Sequence, residues 1–172
     1  MSDAQTTNGT RNAPLAGYQP DGEHRPLGGY STLSAIFGIS FVGGLAAARW
    51  AGRPLPAELS VKDVVLTGLA TQKLSRLLTK EKATSFLRAP FTTYQEPTGH
   101  GEVAEAARGE GLRRAVGELV ICPYCIAQWI AGAFIVGHVA APRLTRLLTS
   151  MWSAHALADA AQIAYSAAEQ RA

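Results

Sequence analysis

The sequence is short of cysteine, charge and aromatic side chains. Its 172 residues include two cysteines, which lie three positions apart, with 17% charged and 8% aromatic residues. Two cysteines exclude the disulfide framework of a small secreted protein. A hydrophobic content of 47% excludes wholesale disorder, and the length allows one domain at most.

Charge is missing altogether from two long segments. Residues 27–48 form an uncharged run that ends before Arg49, and residues 119–142 form a second run, uncharged when His138 is neutral. About 20 apolar residues of helix span the hydrocarbon layer of a bilayer. The two runs therefore predict transmembrane helices over residues 31–49 and 119–141.

Two further segments, residues 61–79 and 144–168, have helical composition but carry charges. In the first, we expect Lys73 and Arg76 to extend their stems toward lipid headgroups; the alternative is an amphipathic helix lying in the interface. The second is interrupted only by Asp159 between Arg146 and Glu169. The predicted fold class is all-α: a polytopic membrane helical bundle of about four transmembrane helices, or three plus one interfacial helix.

Basic residues are divided unequally between the two sides of such a bundle. Four spans place both termini and the connection 80–118 on one side, where eleven basic residues lie, against five on the other. The positive-inside bias then puts both termini in the cytoplasm of a bacterium, with the protein in the cytoplasmic membrane. These flanking charges also account for a basic pI near 9.1 without nucleic acid as a partner.

The polar N-terminal segment has no periodicity. Residues 1–30 are predicted to be a disordered cytoplasmic tail, and residues 31–172 form the membrane helical domain. An alternative is cleavage by signal peptidase after Ala48, which would leave three spans.

The segment Cys122-Pro123-Tyr124-Cys125 is the one motif with a reactive interpretation. It matches the CPYC redox site of glutaredoxins in four letters, but an apolar span follows it instead of the strands of that fold. Glu118 lies one turn before Cys122, where it would adjust thiol basicity. Zinc or an iron–sulfur cluster would need His100, or the same cysteine pair from a second subunit, so the cofactor stays open. The alternative is that both cysteines are small apolar packing residues.

Asp159 is the second residue of interest. A carboxylate inside a span is costly and normally faces a partner within the bundle. His155 lies one turn before it, and Gln162 is on the same helical face. The functional interpretation is a proton or ion relay in a transporter subunit; the alternative, which the lack of a continuous path favours, is hydrogen bonding that fixes helix packing.

The connection 80–118 combines basic and aromatic residues. Pro90 and Pro97 block a continuous helix. Phe91 and Tyr94 argue against a disordered linker, because disordered segments contain few aromatic residues. We expect its first part to pack against the cytoplasmic ends of the spans, or Arg88 to bind lipid phosphate. The candidate cytoplasmic interaction surface comprises Lys73, Arg76, Arg88, Pro90, Phe91, Tyr94, Arg113 and Arg114.

Several separated motifs carry a family resemblance. They are residues 73–76 (Lys-Leu-Ser-Arg), residues 87–92 (Leu-Arg-Ala-Pro-Phe-Thr), residues 111–115 (Gly-Leu-Arg-Arg-Ala) and residues 117–119 (Gly-Glu-Leu) ahead of Cys122-Pro123. In this order, over about residues 61–165, the chain resembles the bacterial domain of unknown function 1360. The resemblance implies a small integral membrane protein and no assigned activity.

These observations predict a non-enzymatic protein that scaffolds or anchors a partner through residues 80–118. One alternative is a membrane thiol-redox or metal-binding protein that uses Cys122 and Cys125. Another is a proton-coupled transporter subunit that uses Asp159. The expected partners are the lipid bilayer and either another protein or further copies of the chain.

Overall fold

The computed structural model describes residues 25–171, which form six α-helices, a short 3₁₀ helix and a two-stranded sheet. The elements in chain order are α1 (Leu27–Trp50), α2 (Val61–Thr79), the 3₁₀ helix (Lys82–Thr84), α3 (Ser85–Arg88), β1 (Thr92–Gly99), β2 (Glu102–Ala107), α4 (Gly111–Ile121), α5 (Pro123–Ala140) and α6 (Pro142–Glu169). Two of these helices, α1 and α5, are long and apolar enough to cross a membrane by length and composition. Four spans stay a prediction.

The long helices lie where the sequence places them. The bounds of α2 coincide with the predicted segment 61–79, and α6 encloses residues 144–168. Ser60 caps α2, because its hydroxyl oxygen accepts from the Asp63 N–H at 3.1 Å. Since α1 begins at Leu27, the last four residues of the predicted tail are helical. Residues 1–24 of that tail lie outside the described residues.

The predicted helix over residues 119–141 is interrupted at Cys122, between α4 and α5. Cys122 has extended backbone angles, φ −102° and ψ 105°. Proline disfavours helical angles in the residue before it and is itself suited to the first position of a helix. Pro123 therefore ends one helix and starts the next, so the cysteines do not lie on one continuous helical stripe.

The all-α prediction is wrong for part of the connection 80–118, which contains an antiparallel hairpin of β1 and β2. Thr92 pairs with Ala107 and Gly99 with Glu102, with irregularities on either side of the Glu96 and Pro97 pairs. The turn at Gly99, His100 and Gly101 has positive φ at all three residues, a conformation that glycine adopts without steric cost. Pro97 is accommodated in β1, an edge strand, whereas Pro90 lies in the turn between α3 and β1.

Helix α2 lies at the centre of the bundle and packs against α5 and α6, while α1 packs against α4 and α5. The buried face of α2 carries small polar residues at intervals of four: Asp63, Thr67, Thr71, Ser75 and Thr79. On the facing helix α6, the buried residues are Thr145, Thr149, Ser153 and Ala156. The Ser153 hydroxyl donates to the Leu66 carbonyl at 2.7 Å, so the two helices approach closely through short side chains.

The outside of the bundle is apolar. Large aliphatic side chains are exposed on α1, α2 and α6, for example Ile39 (74%), Val65 (52%) and Leu147 (68%). In contrast, five of the six buried apolar residues in the described part of the chain are alanine or valine of the helical bundle, and the sixth is Val103 of β2. The distribution of polar and apolar side chains is therefore inverted relative to that of a water-soluble protein.

Close packing at Gly117 joins α4 to the hairpin and leads to a first prediction. A Cβ added at Gly117 would lie 2.5 Å from the Phe91 carbonyl oxygen and 2.9 Å from the Ala107 Cβ, whereas one added at Gly68 of α2 meets nothing within 4 Å. We expect Gly117→Ala to lower the free energy of unfolding by about 1–2 kcal/mol through overpacking. Gly68→Ala should instead raise it by roughly 0.5–1 kcal/mol, because alanine favours helix.

Denaturant titration of both variants in the same detergent, followed by circular dichroism, measures the difference. Equal stability of the two variants would show that α4 and the hairpin do not meet at Gly117.

Candidate functional site

The cysteine pair lies at the junction of α4 and α5. Cys122 and Cys125 form a disulfide, and the Cys125 N–H donates to the Cys122 sulfur at 3.2 Å. Cys122 thus occupies the N-cap position of α5. When the disulfide is reduced, the partial positive charge of the helix N-terminus would stabilise negative charge on this sulfur.

Cys125 opens onto a cavity of about 460 Å³ between α1, α4 and α5, which we call the cysteine cavity. Its apolar wall includes Phe37 and Trp129, whose rings meet edge to face with centroids 5.4 Å apart. The full lining is Tyr30, Leu33, Ser34, Phe37, Ala115, Glu118, Leu119, Cys125, Gln128 and Trp129. The cavity has the size and the mixed lining of a small-molecule site.

Glu118 supplies the acidic group of this cavity. Its carboxylate accepts from Arg114 Nε at 3.0 Å and from the Tyr30 hydroxyl. The structure therefore brings Glu118, Cys125 and Trp129 to one cavity despite the break in the helix. Tyr30 comes from α1, and its contact with α4 could not be read from the spacing of residues.

A second cavity, of about 780 Å³, lies between α2, α6 and the turn of the hairpin; we call it the charged cleft. Lys73 is its central group and is only 5% exposed. The Lys73 ammonium binds Glu81 at 2.5 Å and Asp159 at 2.8 Å. Beside it, Arg76 donates to Glu102 at 2.5 Å. The cleft is lined by paired charges of both signs.

This arrangement corrects one prediction. Lys73 does not extend away from the bundle, because two carboxylates hold it inside. Asp159 faces a partner within the bundle, Lys73 of α2. His155 and Gln162 line the same cleft, as their positions on the face of Asp159 suggest.

His100 lies in the hairpin turn and lines the charged cleft, whereas Cys125 lines the cysteine cavity. The residue proposed as an extra metal ligand is thus placed with Asp159 and Lys73, away from the sulfurs. Within residues 25–171, no three His, Cys, Asp or Glu side chains are grouped to hold a metal ion.

Arg88 of α3 is buried, with 1% of its side chain exposed. It donates to both Glu105 oxygens, at 2.6 Å and 3.1 Å, and to the carbonyl oxygens of Leu78 and Glu81. It therefore ties α2, α3 and β2 together and cannot bind a lipid phosphate or an external partner. Its place in the predicted interaction surface is a correction, as is that of Lys73.

Of the other residues of that surface, Arg76 lies in the charged cleft and Arg114 is half-buried beside Glu118, whereas Pro90, Tyr94 and Arg113 are exposed. Tyr94 is 62% exposed and Phe91 is half-buried. The Pro90 carbonyl oxygen accepts from Arg113 at 2.8 Å and from Arg108 at 3.2 Å. We call the folded segment of residues 80–118 the cap.

Two further polar contacts lie in the bundle interior. Asp63 accepts two hydrogen bonds of 3.0 Å from Arg146, and the Thr67 hydroxyl lies 3.0 Å from His138 Nε2. In the sequence, no neighbouring residue identifies a partner for Asp63 or His138. The partners meet because α2 packs against α6, which carries Arg146, and against α5, which carries His138.

Comparisons with known proteins identify a family and one relative. A family model described as "Protein of unknown function (DUF1360)" matches residues 66–165. The chain is also similar to the "Sporulation protein YjcA" of Bacillus subtilis (strain 168), with 32% identity over 88 residues, 49% of this chain and 75% of that protein. No solved structure matches.

Proposed function

The chain belongs to the DUF1360 family, and we propose that it is a multi-pass protein of the cytoplasmic membrane whose cap docks a protein partner at the cytoplasmic face. In this proposal α1, α2, α5 and α6 cross the bilayer, both termini are cytoplasmic, and the chain is a scaffold without catalytic activity. The cap is the functional part, and the bundle is its anchor.

The inverted distribution of side chains carries the membrane part of the proposal. In water, the exposed aliphatic surface of α1, α2 and α6 would cost roughly 25 cal/mol for each Å². In lipid that cost is absent, and helices associate through small and hydroxyl-bearing residues, such as those that join α2 and α6. Charges in such a bundle are expected to face inward and to be paired, as the buried Lys73 is with Glu81 and Asp159.

The docking part rests on the rigidity and exposure of the cap. Arg88 and Glu105 fix the hairpin to α3, and the Val103 N–H, which donates to the Lys80 carbonyl oxygen at 2.9 Å, fixes it to the end of α2. A surface held in one conformation loses less entropy when a partner binds. Tyr94 and Phe86 are 62% and 70% exposed, and aromatic residues are the commonest anchors of protein interfaces.

The name of the Bacillus subtilis relative supports a process for this docking. That relative is described as a sporulation protein. We propose that the partner of the cap acts in sporulation.

A photoreactive phenylalanine analogue at position 94 tests the docking in intact cells that produce the full-length chain. We expect one discrete crosslinked adduct, because Tyr94 projects from the rigid cap. The matched control carries the analogue at Leu55, which is 54% exposed and lies in the connection between α1 and α2 at the other end of the bundle. If both positions give the same adducts, or position 94 gives none, the docking proposal fails.

The disulfide favours a second function, reversible thiol–disulfide exchange by Cys122 and Cys125. The pair is at the start of α5, and Cys125 is exposed to the cysteine cavity. Cytoplasmic thiols keep most such pairs reduced, so a cytoplasmic disulfide is usually transient and reactive.

This second function is tested by alkylating the thiols in cells with a maleimide that adds a fixed mass to each free cysteine. We expect two labelled cysteines after a reducing challenge and none after an oxidising challenge. A pair that stays in one state under both challenges would remove this function.

A further inference from the structure

The cysteine cavity combines a reactive sulfur pair with a surface fitted to a flat, apolar ring. Phe37 and Trp129 form its aromatic wall, while Tyr30, Glu118 and Gln128 supply polar groups. A ligand that matches this lining has a planar apolar body and polar atoms at its edge. A sulfur of the pair lies on the same wall, so the ligand would be held next to a redox centre.

The cavity is placed where a molecule dissolved in the bilayer would reach it. Its lining comes from the first half of α1, the last turns of α4 and the first turns of α5. Of these, α1 and α5 are apolar enough to span a membrane, and in the proposed topology these are their cytoplasmic ends. The neighbouring outer surface is apolar as well, since Ile36 is 44% exposed. Water-soluble redox partners are therefore less suited to this wall of the cysteine pair than lipid-soluble ones.

We propose that the cysteine cavity binds a membrane quinone and that the reduced pair of Cys122 and Cys125 converts it to the quinol. The proposal rests on the membrane location and on the thiol–disulfide function given above. A quinone has the planar ring, the two carbonyl oxygens and the two-electron chemistry that this site requires. A volume of about 460 Å³ accommodates its ring and the first part of its tail.

The reaction balances with the two thiols as the reductant. The Cys125 sulfur, which lines the cavity, adds to a ring carbon and forms a carbon–sulfur bond. The Cys122 sulfur, stabilised as an anion at the start of α5, then attacks Cys125; the sulfur–sulfur bond forms and the carbon–sulfur bond breaks. The two thiols lose two electrons, which reduce the quinone ring, and two protons, which the two quinone oxygens take up. The products are one disulfide and one quinol.

Ubiquinone-1 is the probe, added to the purified full-length chain in detergent after anaerobic reduction and removal of the reductant. Binding is measured as quenching of Trp129 fluorescence in a background with Trp50→Phe and Trp152→Phe. Quinol formation is followed by absorbance and thiol loss by maleimide labelling. We expect saturable quenching and one quinol formed for each cysteine pair oxidised.

Matched variants separate binding from electron transfer. Cys122→Ser should keep the quenching and form no quinol. Ser34→Phe, which fills the cavity from an exposed position on α1, should weaken binding at least tenfold, whereas Ser31→Phe, exposed on α1 and outside the lining, should leave it unchanged.

The outcomes distinguish this inference from the functions on which it rests. Absent or non-saturable quenching overturns the inference, whereas the second function stands or falls on the alkylation of the cysteine pair in cells. Quenching that Ser34→Phe does not weaken places the quinone elsewhere and also overturns it. Binding with no loss of thiols overturns the electron-transfer step.

Discussion

Replacing Arg88 with methionine should unfold the cap and cost about 3–5 kcal/mol of stability, the largest effect we expect from any single substitution in the cap. The change keeps the apolar stem of the side chain but leaves Glu105, whose side chain is 5% exposed, as an unpaired buried charge. It also removes the donors to Leu78 and Glu81, so α2 and α3 lose their shared bond. Urea titration in detergent, with limited proteolysis of residues 80–118, measures the loss.

Arg76→Met is the matched control, because it removes the same kind of side chain from an ion pair at the surface. The Arg76 side chain is 48% exposed beside Glu102, and exposed pairs contribute about 0–1 kcal/mol. Arg88→Lys should not restore stability, since one ammonium cannot replace the fork of a guanidinium. The double variant Arg88→Met with Glu105→Leu should recover part of the loss, because no unpaired charge remains. Equal losses from Arg88→Met and Arg76→Met would contradict the structural role of Arg88.

The substitution Lys73→Met should have the second-largest effect, a loss of roughly 2–3 kcal/mol. The buried ammonium separates Glu81 and Asp159, and its removal leaves two carboxylates facing each other in the charged cleft. The loss is smaller than at Arg88 because the side chains of Glu81 and Asp159 are 26% and 41% exposed, so water stabilises their charge. Denaturant titration of the variant in detergent gives the value.

Two variants sharpen this prediction. Lys62→Met changes an exposed lysine at the start of the same helix and should be close to neutral. Asp159→Asn should cost less than Lys73→Met, because Lys73 keeps its contact with Glu81. If Asp159→Asn were instead as costly as Lys73→Met, Asp159 would have a role beyond this ion pair.

The positions of the long helices could be predicted from the sequence because they depend on local features. Runs without charge, the Ser60 cap and the charges that bound each segment are all read along the chain. The break at Cys122 also had a local signal, since proline at position 123 is suited to begin a helix. This signal was missed because Pro123 lies inside the uncharged run of residues 119–142.

The cap could not be predicted in the same way. Its hairpin has a weak pattern of strand residues, and the clearest signal was the turn of Gly99, His100 and Gly101. Treating Pro90 and Pro97 only as residues that block a helix left this segment without a structure.

The ionic partners depended on contacts that no local pattern contains. Arg88 of α3 meets Glu105 because the hairpin folds β2 back toward α3. Lys73 and Asp159 are 86 positions apart in the chain and meet because α2 packs against α6. Arg88 was assigned to the surface because an arginine in a polar segment is usually exposed. Because Arg88 is buried, it stabilises the fold of the cap and is not available to a partner.

The same limit applies to the candidate sites. The cysteine motif and Glu118 were recognised as neighbours from their spacing, and Cys125 and Glu118 do share a cavity. Tyr30 and Phe37 complete that cavity from α1, which is remote in sequence. For a site formed between helices, the sequence thus predicts the residues near the motif and not those that another helix contributes.

The collision accessibility of spin labels tests most directly whether lipid surrounds the long helices. Labels are attached to single cysteines that replace Ile39 of α1, Met151 of α6 or Leu55 of the connecting segment, in full-length protein with Cys122→Ser and Cys125→Ser, reconstituted in bilayers. All three native side chains are more than half exposed. We predict that labels at Ile39 and Met151 collide often with oxygen and rarely with a water-soluble nickel chelate, and that the label at Leu55 does the reverse. Nickel accessibility at Ile39 and Met151 as high as at Leu55 would show that water surrounds these helices and would contradict the membrane assignment.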